Sequence, residues 1–188
     1  MRTKLIIALV NIIGVLIVSS CAFAVRYDGP YKGRVIDAGT GQPIEGVVVL
    51  GVWSTETPTA GGAVHRFYDA METVTDNNGE FEIKGLGLLA VSNVTPMDLL
   101  IFKAGYEYFD SPWESLKKSK YLIQKKNIKW EGNTVVIPLK KLTMEERKRS
   151  LGPTSPPHEA PKEKIKLMLN EINEDRREQG LGPIEVGR

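Results

Sequence analysis

The sequence predicts an all-β fold, a small sandwich of short strands, on three observations. Tyr31 to Asp37 alternates, with Tyr31, Gly33 and Val35 on one face and Lys32 and Arg34 on the other, which is the period of a half-buried strand. Val47 to Trp53 is a nearly continuous apolar run rich in β-branched residues, the pattern of a central strand covered on both faces. Between Ala70–Thr75 and the alternating Glu80–Lys84 stands Asp76-Asn77-Asn78-Gly79, whose residues tolerate left-handed backbone and so predict a hairpin.

The remaining elements follow in order. Tyr27 to Pro30 is a short polar lead-in. In Ala38 to Pro43 two glycines supply positive φ and Pro43 ends ladder pairing, so a turn is expected. Pro58, Gly61 and Gly62 mark Thr55 to Val64 as a loop, and Gly85 to Thr95 takes no assignment. Asp98 to Lys103 is a buried strand, closed by a turn at Ala104-Gly105-Tyr106. Ser111-Pro112-Trp113-Glu114 places Ser at the N-cap, Pro at the first helical position and Glu at the third, a helix start running to about Lys118. Tyr121 to Ile128 fits a helical turn or an edge strand. Asn133 to Leu139 is the last strand, with Val135, Ile137 and Leu139 inward and Pro138 suggesting an edge position or a strand end.

The termini carry other information. Arg2 and Lys4 precede an apolar run, Leu5 to Val18, too short to cross a bilayer comfortably and suited to a signal peptide. Val18-Ser19-Ser20-Cys21 resembles a bacterial lipobox, in which cleavage precedes an acylated cysteine. Cys21 is the sole cysteine of the chain, so no intramolecular disulfide is available. Ala22-Phe23-Ala24 fits the rival small-x-small site, with cleavage before Val25. In the lipoprotein pattern, the absence of Asp directly after Cys21 favours the outer membrane. The alternative is a soluble periplasmic or secreted protein. At the other end, Thr143-Met144-Glu145-Glu146 is a capping box opening a short helix. Four prolines then make Gly152 to Pro161 a stiff linker. Ile165, Met168, Leu169 and Ile172 recur at helical spacing before Gly180, forming a narrow apolar stripe. That helix is expected to fold back on the sandwich, with a partner's groove as the alternative, and Leu181 to Arg188 is expected to fray. The organisation is then a signal peptide over 1–20, a tether over 21–30, the sandwich over 31–142, a short helix and linker over 143–160, and a helical tail over 161–188.

Four blocks resemble the carboxypeptidase regulatory-like domain. Gly33-Arg34-Val35-Ile36-Asp37 is similar to its opening strand, and Thr40-Gly41-Gln42-Pro43-Ile44-Glu45-Gly46-Val47 to its first turn. Val74-Thr75-Asp76-Asn77-Asn78-Gly79-Glu80-Phe81 resembles its hairpin, and Ala104-Gly105-Tyr106 its closing turn. The resemblance implies a seven-stranded transthyretin-like β-sandwich without catalysis of its own, used in envelope proteins as an accessory or adhesion unit. The chain departs from the pattern at two insertions, Trp53 to Phe67 and Glu107 to Gly132, where a private function is expected.

Chemistry is sparse. The net charge of +2 gives no case for nucleic acid as partner. His65 and His158 are the only histidines, and Asp69 and Glu72 the carboxylates His65 would need for zinc. Metal sites show tighter clustering, so no metal or cofactor is expected. Asp76 to Glu80 lacks the spaced ligands of a calcium loop. No nucleophile elbow and no phosphate-binding glycine motif appears, so no catalytic residue is assigned. Lys117, Lys118, Lys120, Lys125, Lys126 and Lys129 crowd one insertion beside Trp113, Tyr121 and Trp130. They form either an anion-binding patch or, as favoured here, a solvated face over packed tryptophans. The expected function is a non-enzymatic, membrane-anchored envelope module that binds or scaffolds an envelope protein, with Cys21 as the lipidation site. Candidate binding residues are Trp53, His65, Tyr68, Tyr106, Trp113, Lys117 and Lys118. The alternative is a glycan-binding face using Tyr68, Tyr106, Tyr108 and Trp113.

Overall fold

The structure is a computed structural model that describes residues 25–90, 93–150 and 160–184. Cys21, His158 and the core of the proline-rich linker lie outside the described residues. Ten strands and four α-helices follow in the order β1 (Arg26–Asp28), β2 (Tyr31–Asp37), β3 (Val48–Thr59), β4 (Gly62–Val74), β5 (Glu80–Ile83), β6 (Gly87–Leu89), β7 (Asp98–Phe102), β8 (Phe109–Pro112), α1 (Trp113–Lys118), α2 (Lys120–Lys126), β9 (Lys129–Glu131), β10 (Thr134–Leu139), α3 (Met144–Arg149) and α4 (Lys166–Glu178) among the described residues. The strands form two four-stranded sheets, β5-β2-β10-β9 and β4-β3-β7-β8, and a separate β1-β6 ribbon. The protein is therefore mostly β, as expected, with more strands than seven.

The sheets share one core. Val35, Phe81, Ile83, Val135, Ile137 and Leu139 of the first meet Val49, Trp53, Leu99, Ile101 and Phe109 of the second. Glycine at position 33 is dictated by this packing. A β-carbon there would lie 2.3 Å from Cζ of Phe81, whose ring covers the backbone of β2. A second core lies on the opposite face of the β4-β3-β7-β8 sheet. There Val48, Leu50, Val52, Leu100 and Phe102 pack against Ile165, Met168 and Ile172 of the tail. Residues Val48 to Trp53 of β3 are buried on both faces because α4 covers the outer one.

Thus the tail helix folds back. Glu72 on β4 accepts hydrogen bonds from the first-turn N–H groups of Leu167 (2.9 Å) and Met168 (2.7 Å). At the far end Glu171 and Asp175 accept from the backbone N–H groups of Ala104 (2.8 Å) and Gly105 (3.1 Å). Arg147 of α3 bridges Asp175 and Glu178. The capping box forms as expected, with Thr143 and Glu146 each accepting from the other's backbone N–H. Lys140 lies 2.6 Å from Glu146 and, with the Thr143 N–H, holds that carboxyl down at about 2. The segment after Gly180 does not fray at once, for the N–H of Ile184 donates to Asn173 at 2.7 Å.

Several local expectations are corrected. Thr55 to Val64 is not a loop: β3 and β4 continue as a two-stranded arm paired from Ser54↔Phe67 to Thr59↔Gly62. Asp76 to Gly79 is a tight turn, its Asp76 carboxylate accepting from the N–H groups of Asn78 and Glu80 (2.9 and 2.8 Å). It joins no hairpin, because β4 and β5 belong to different sheets. In the turn after β2 only Gly41 has positive φ, and Gly39 does not. There the Asp37 carboxylate accepts from the N–H groups of Thr40 and Gly39, which lowers its pKa. The lead-in is not a simple tether, since β1 pairs with β6 from the unassigned Gly85–Thr95 stretch. Ser111 does not cap a helix. It lies in β8, its hydroxyl turned to the Pro112 carbonyl, and α1 begins at Trp113. Tyr121 falls in helix α2. Of the two positions expected for Pro138, the strand end holds and the edge does not: it is the penultimate residue of β10, which runs between β2 and β9, but β9 pairs only as far as Val136, so no ladder bond is asked of the proline nitrogen on that side.

Two substitutions test this packing. Gly33→Ala should cost about 1–3 kcal/mol, the usual penalty of overpacking. An unchanged urea midpoint would mean that the Phe81 ring does not lie over Gly33. Ile172→Ala should cost about 2–5 kcal/mol, whereas Leu167→Ala on the exposed side of α4 should stay within about 0.5 kcal/mol. Equal, small effects in chemical denaturation would show the tail helix undocked.

Candidate functional site

The arm gathers three of the residues singled out in the sequence. The β3–β4 register shifts between Trp53 and Ser54, where Trp53 opposes Asp69 and Ser54 opposes Phe67, leaving Tyr68 as the extra residue of a bulge. Bulges turn a strand and re-aim side chains. Trp53, at the root, is fully buried in the core. Tyr68 is turned outward and His65 stands on the exposed length of β4. The root is fixed on its second side. The N–H of Glu56 donates to the Asn93 carbonyl (2.8 Å), and the Thr95 N–H donates to the Ser54 carbonyl (2.7 Å). From Glu56 to Arg66 every residue of the arm is exposed. The arm is thus a two-stranded projection with an exposed surface, polar over Thr55–Thr57 and His65–Arg66 and small or apolar at its tip.

The Glu107–Gly132 insertion is used differently. It supplies β8 to the edge of one sheet and β9 to the edge of the other, and its helices carry the aromatic residues that seal the core between them. Trp113 is only 5% exposed, with its ring edge-on to Tyr31 (4.9 Å) and Trp130 (5.7 Å). Trp130 donates its indole N–H to the Leu116 carbonyl at 3.0 Å, and Lys117 places its ammonium 5.2 Å from the Trp130 ring centre. Lys118 pairs with Glu114 and Lys126 with Glu107, each at 2.7 Å. The lysines therefore form a solvated face over packed tryptophans, not a converging cationic pocket.

The four rings weighed for glycan stacking share no surface. Trp113 is in the core, Tyr68 is on the arm, and Tyr106 and Tyr108 are half-buried beside α4. The last two line a small cleft with Phe102, Arg147, Asp175 and Arg176. Arg147 leaves its Nε without an acceptor, but its charge is met by Asp175 and Glu178, so the cleft gains no cation from it. His65, Asp69 and Glu72 do not converge. Asp69 pairs with Lys164 (2.9 Å) and Glu72 caps α4. Among the described residues no group of three His, Cys, Asp or Glu is placed to hold a metal ion.

One electrostatic feature escaped the sequence, because it arises from strands distant in the chain. Burial raises the Asp98 carboxyl above its ordinary value, with repulsion from Asp110 adding to it and His65 opposing it. Burial likewise raises Asp110. Asp110 stands opposite Leu100, and Asp98 is two residues from Leu100, so both side chains are on one face of the sheet.

No protein-family model matches the chain, and neither a curated protein nor a solved structure matches it.

The raised carboxyls set a pH dependence. Their folded pKa values exceed the unfolded ones, so the folded state holds protons more tightly. Their contribution to stability is then full below the ordinary carboxylate range and is lost as pH rises through the raised values, while the lowered Asp37 and Glu146 act in the opposite sense. Asp98→Asn should therefore raise the Tm at pH 7 and flatten the decline between pH 4 and 7. A calorimetric Tm at pH 7 equal to or below the parent's would refute the repulsion.

Proposed function

We propose that this protein is a non-catalytic envelope lipoprotein, anchored through an acylated Cys21, whose sandwich presents the β3–β4 arm to an envelope protein. The observation that carries the reading is the arm itself. Apart from Trp53 and Phe67 at its root, which pack on the two cores, its side chains from Glu56 to Arg66 are all exposed. Glu72, Glu171, Asp175 and Asp69 are committed to holding the tail.

The fold reading is a carboxypeptidase regulatory-like domain of the transthyretin-like class. Without β8 and β9, which belong to the Glu107–Gly132 insertion, the two sheets keep six strands, β5-β2-β10 and β4-β3-β7, and the ribbon strand β6 would have to be the seventh. The four sequence blocks occupy β2 and the turn after it, the β4–β5 connection, and the turn after β7. The address rests on the lipobox at Val18 to Cys21. The described residues include no helix long and apolar enough to cross a membrane. Each buried methylene adds about 0.8 kcal/mol, which makes three acyl chains a lasting anchor.

The address is tested by the intact mass of the mature protein from membranes, with Cys21→Ala alongside. A triacylated N-terminus at Cys21 is expected, and a free N-terminus at Val25 would replace the anchor with a soluble exported form. The arm is tested by replacing Thr57–Val64 with Asn-Gly, which closes the hairpin after Glu56↔His65. The Tm should stay within about 2 °C, as expected for exposed residues away from the core. A photo-crosslinker is placed at Thr55, at the root of the arm and present in both forms. Its adduct to an envelope protein should be lost in the shortened variant, and an unchanged adduct would end this reading.

A further inference from the structure

The β1-β6 ribbon has two unlike faces. Asp28 and Leu89 are buried on one side. The Asp28 carboxylate accepts from the Tyr31 hydroxyl (2.7 Å) and the Leu86 N–H (3.0 Å), which fastens the ribbon to the body. Gly29 and Gly85 make the approach close, for a β-carbon on either would lie within 2.4 Å of the other strand's backbone carbonyl oxygen. On the other side Tyr27 and Leu88 are register partners, so their side chains stand together. They are 70% and 72% exposed, and Val25 beside them is 56% exposed. These are the most exposed large apolar residues of the described chain, with Tyr121.

We infer that this apolar face of the ribbon rests on the lipid bilayer that holds the anchor. The inference depends on the acylation of Cys21 proposed above and adds to it a defined contact surface and orientation. Its argument is the length of the tether. Four residue steps separate Cys21 from Val25, and a fully extended chain covers at most about 3.3–3.6 Å per residue, or about 14 Å. The glyceryl thioether of an acylated cysteine sits at the boundary of the hydrocarbon, and the headgroup layer above it is roughly 5–7 Å deep. Val25 is therefore held within about 7–9 Å of the membrane surface at full extension, and Tyr27 and Leu88 follow because the ribbon is bonded to the sandwich. A phenol and a leucine side by side suit the interface, where the ring lies among apolar chains and the hydroxyl stays in water. Ordinary exported domains on long tethers have no need of such a face. Here the short tether and the apolar pair occur together.

The experiment uses the sole-cysteine chemistry of the chain. Once Cys21 is acylated, Leu88→Cys supplies the single free thiol, as does Asn77→Cys at the opposite end of the sandwich. β2 separates the two ends by six residue steps, about 20 Å. Each variant is purified as the mature lipoprotein, its mass is recorded, and it is spin-labelled and placed in vesicles of phosphatidylethanolamine and phosphatidylglycerol. At position 88 the label should be several-fold more accessible to oxygen and less accessible to a water-soluble nickel chelate than at position 77. Triacylated protein in which both labels are equally open to the chelate overturns the membrane contact and leaves the anchor standing. Protein that begins at Val25 instead overturns the anchor, and with it the contact.

Discussion

The first half of strand β3, Val48 to Trp53, is buried on both faces, and the rest of the molecule answers that requirement. Its inner side chains, Val49 and Trp53, belong to the core between the sheets, and its outer ones, Val48, Leu50 and Val52, belong to the core under α4. A strand that places apolar residues on both faces leaves one of them in water unless a third layer covers it. Helix α4 is that layer. It is separated from the sheets by the proline-rich linker in sequence, yet it supplies Ile165, Met168 and Ile172 to the outer core. Burying each of such side chains is worth about 1.5–3 kcal/mol, so the tail contributes as a structural part and not as an appendage.

The polar chemistry follows from the same requirement. An apolar stripe fixes that a helix docks but fixes its direction weakly, because dispersion and hydrophobic contacts are not directional. Direction comes from the ends. Glu72 meets the positive end of α4, and Glu171 and Asp175 reach out to the turn after β7. Desolvation raises the Glu72 carboxyl, and the two N–H groups of the helix offset part of that cost. Carboxylates that a sequence alone would offer to a metal or a nucleophile are thus consumed in positioning the third layer.

How much of this was legible depended on the range of the interaction. Val47 to Trp53 announced a doubly covered strand, and Ile165 to Ile172 announced the helix, because both signals are periodic and local. The Asp76–Gly79 turn was legible as a turn, since its Asp76 carboxylate bonds within four residues. Which strands it joined was not, because that depends on Thr75, whose hydroxyl bonds the Ile44 carbonyl (2.7 Å) and the Val47 N–H (2.9 Å) far back in the chain. Thr55 to Val64 misled for a clear reason. Pro58 and two glycines argue against a central strand, but beyond Glu56 the arm has a neighbour on one side only, where proline is tolerated. The β1-β6 ribbon was invisible because three residues carry no period, and only the buried Asp28 and the facing glycines hold it in place. Of the candidate residues, His65 and Tyr68 reach an exposed surface together, while Trp53 and Trp113 are core, as large aromatic residues near β-branched runs tend to be.

Ribbon and arm are coupled through a short path of hydrogen bonds. Arg26 on β1 donates to the Thr95 carbonyl (3.0 Å), and the Thr95 N–H in turn donates to the Ser54 carbonyl (2.7 Å) at the arm's root. Tyr31, the first residue of β2, packs against Trp53, the last body residue of β3 before the bulge. Both features therefore leave the sandwich at the same end, and the six residues from Ser54 to Thr59 carry the arm about 17–20 Å outward. If Cys21 is acylated as proposed, a tether of only four residue steps would hold the arm near the membrane, where a partner that is itself membrane-bound would meet it at a raised effective concentration.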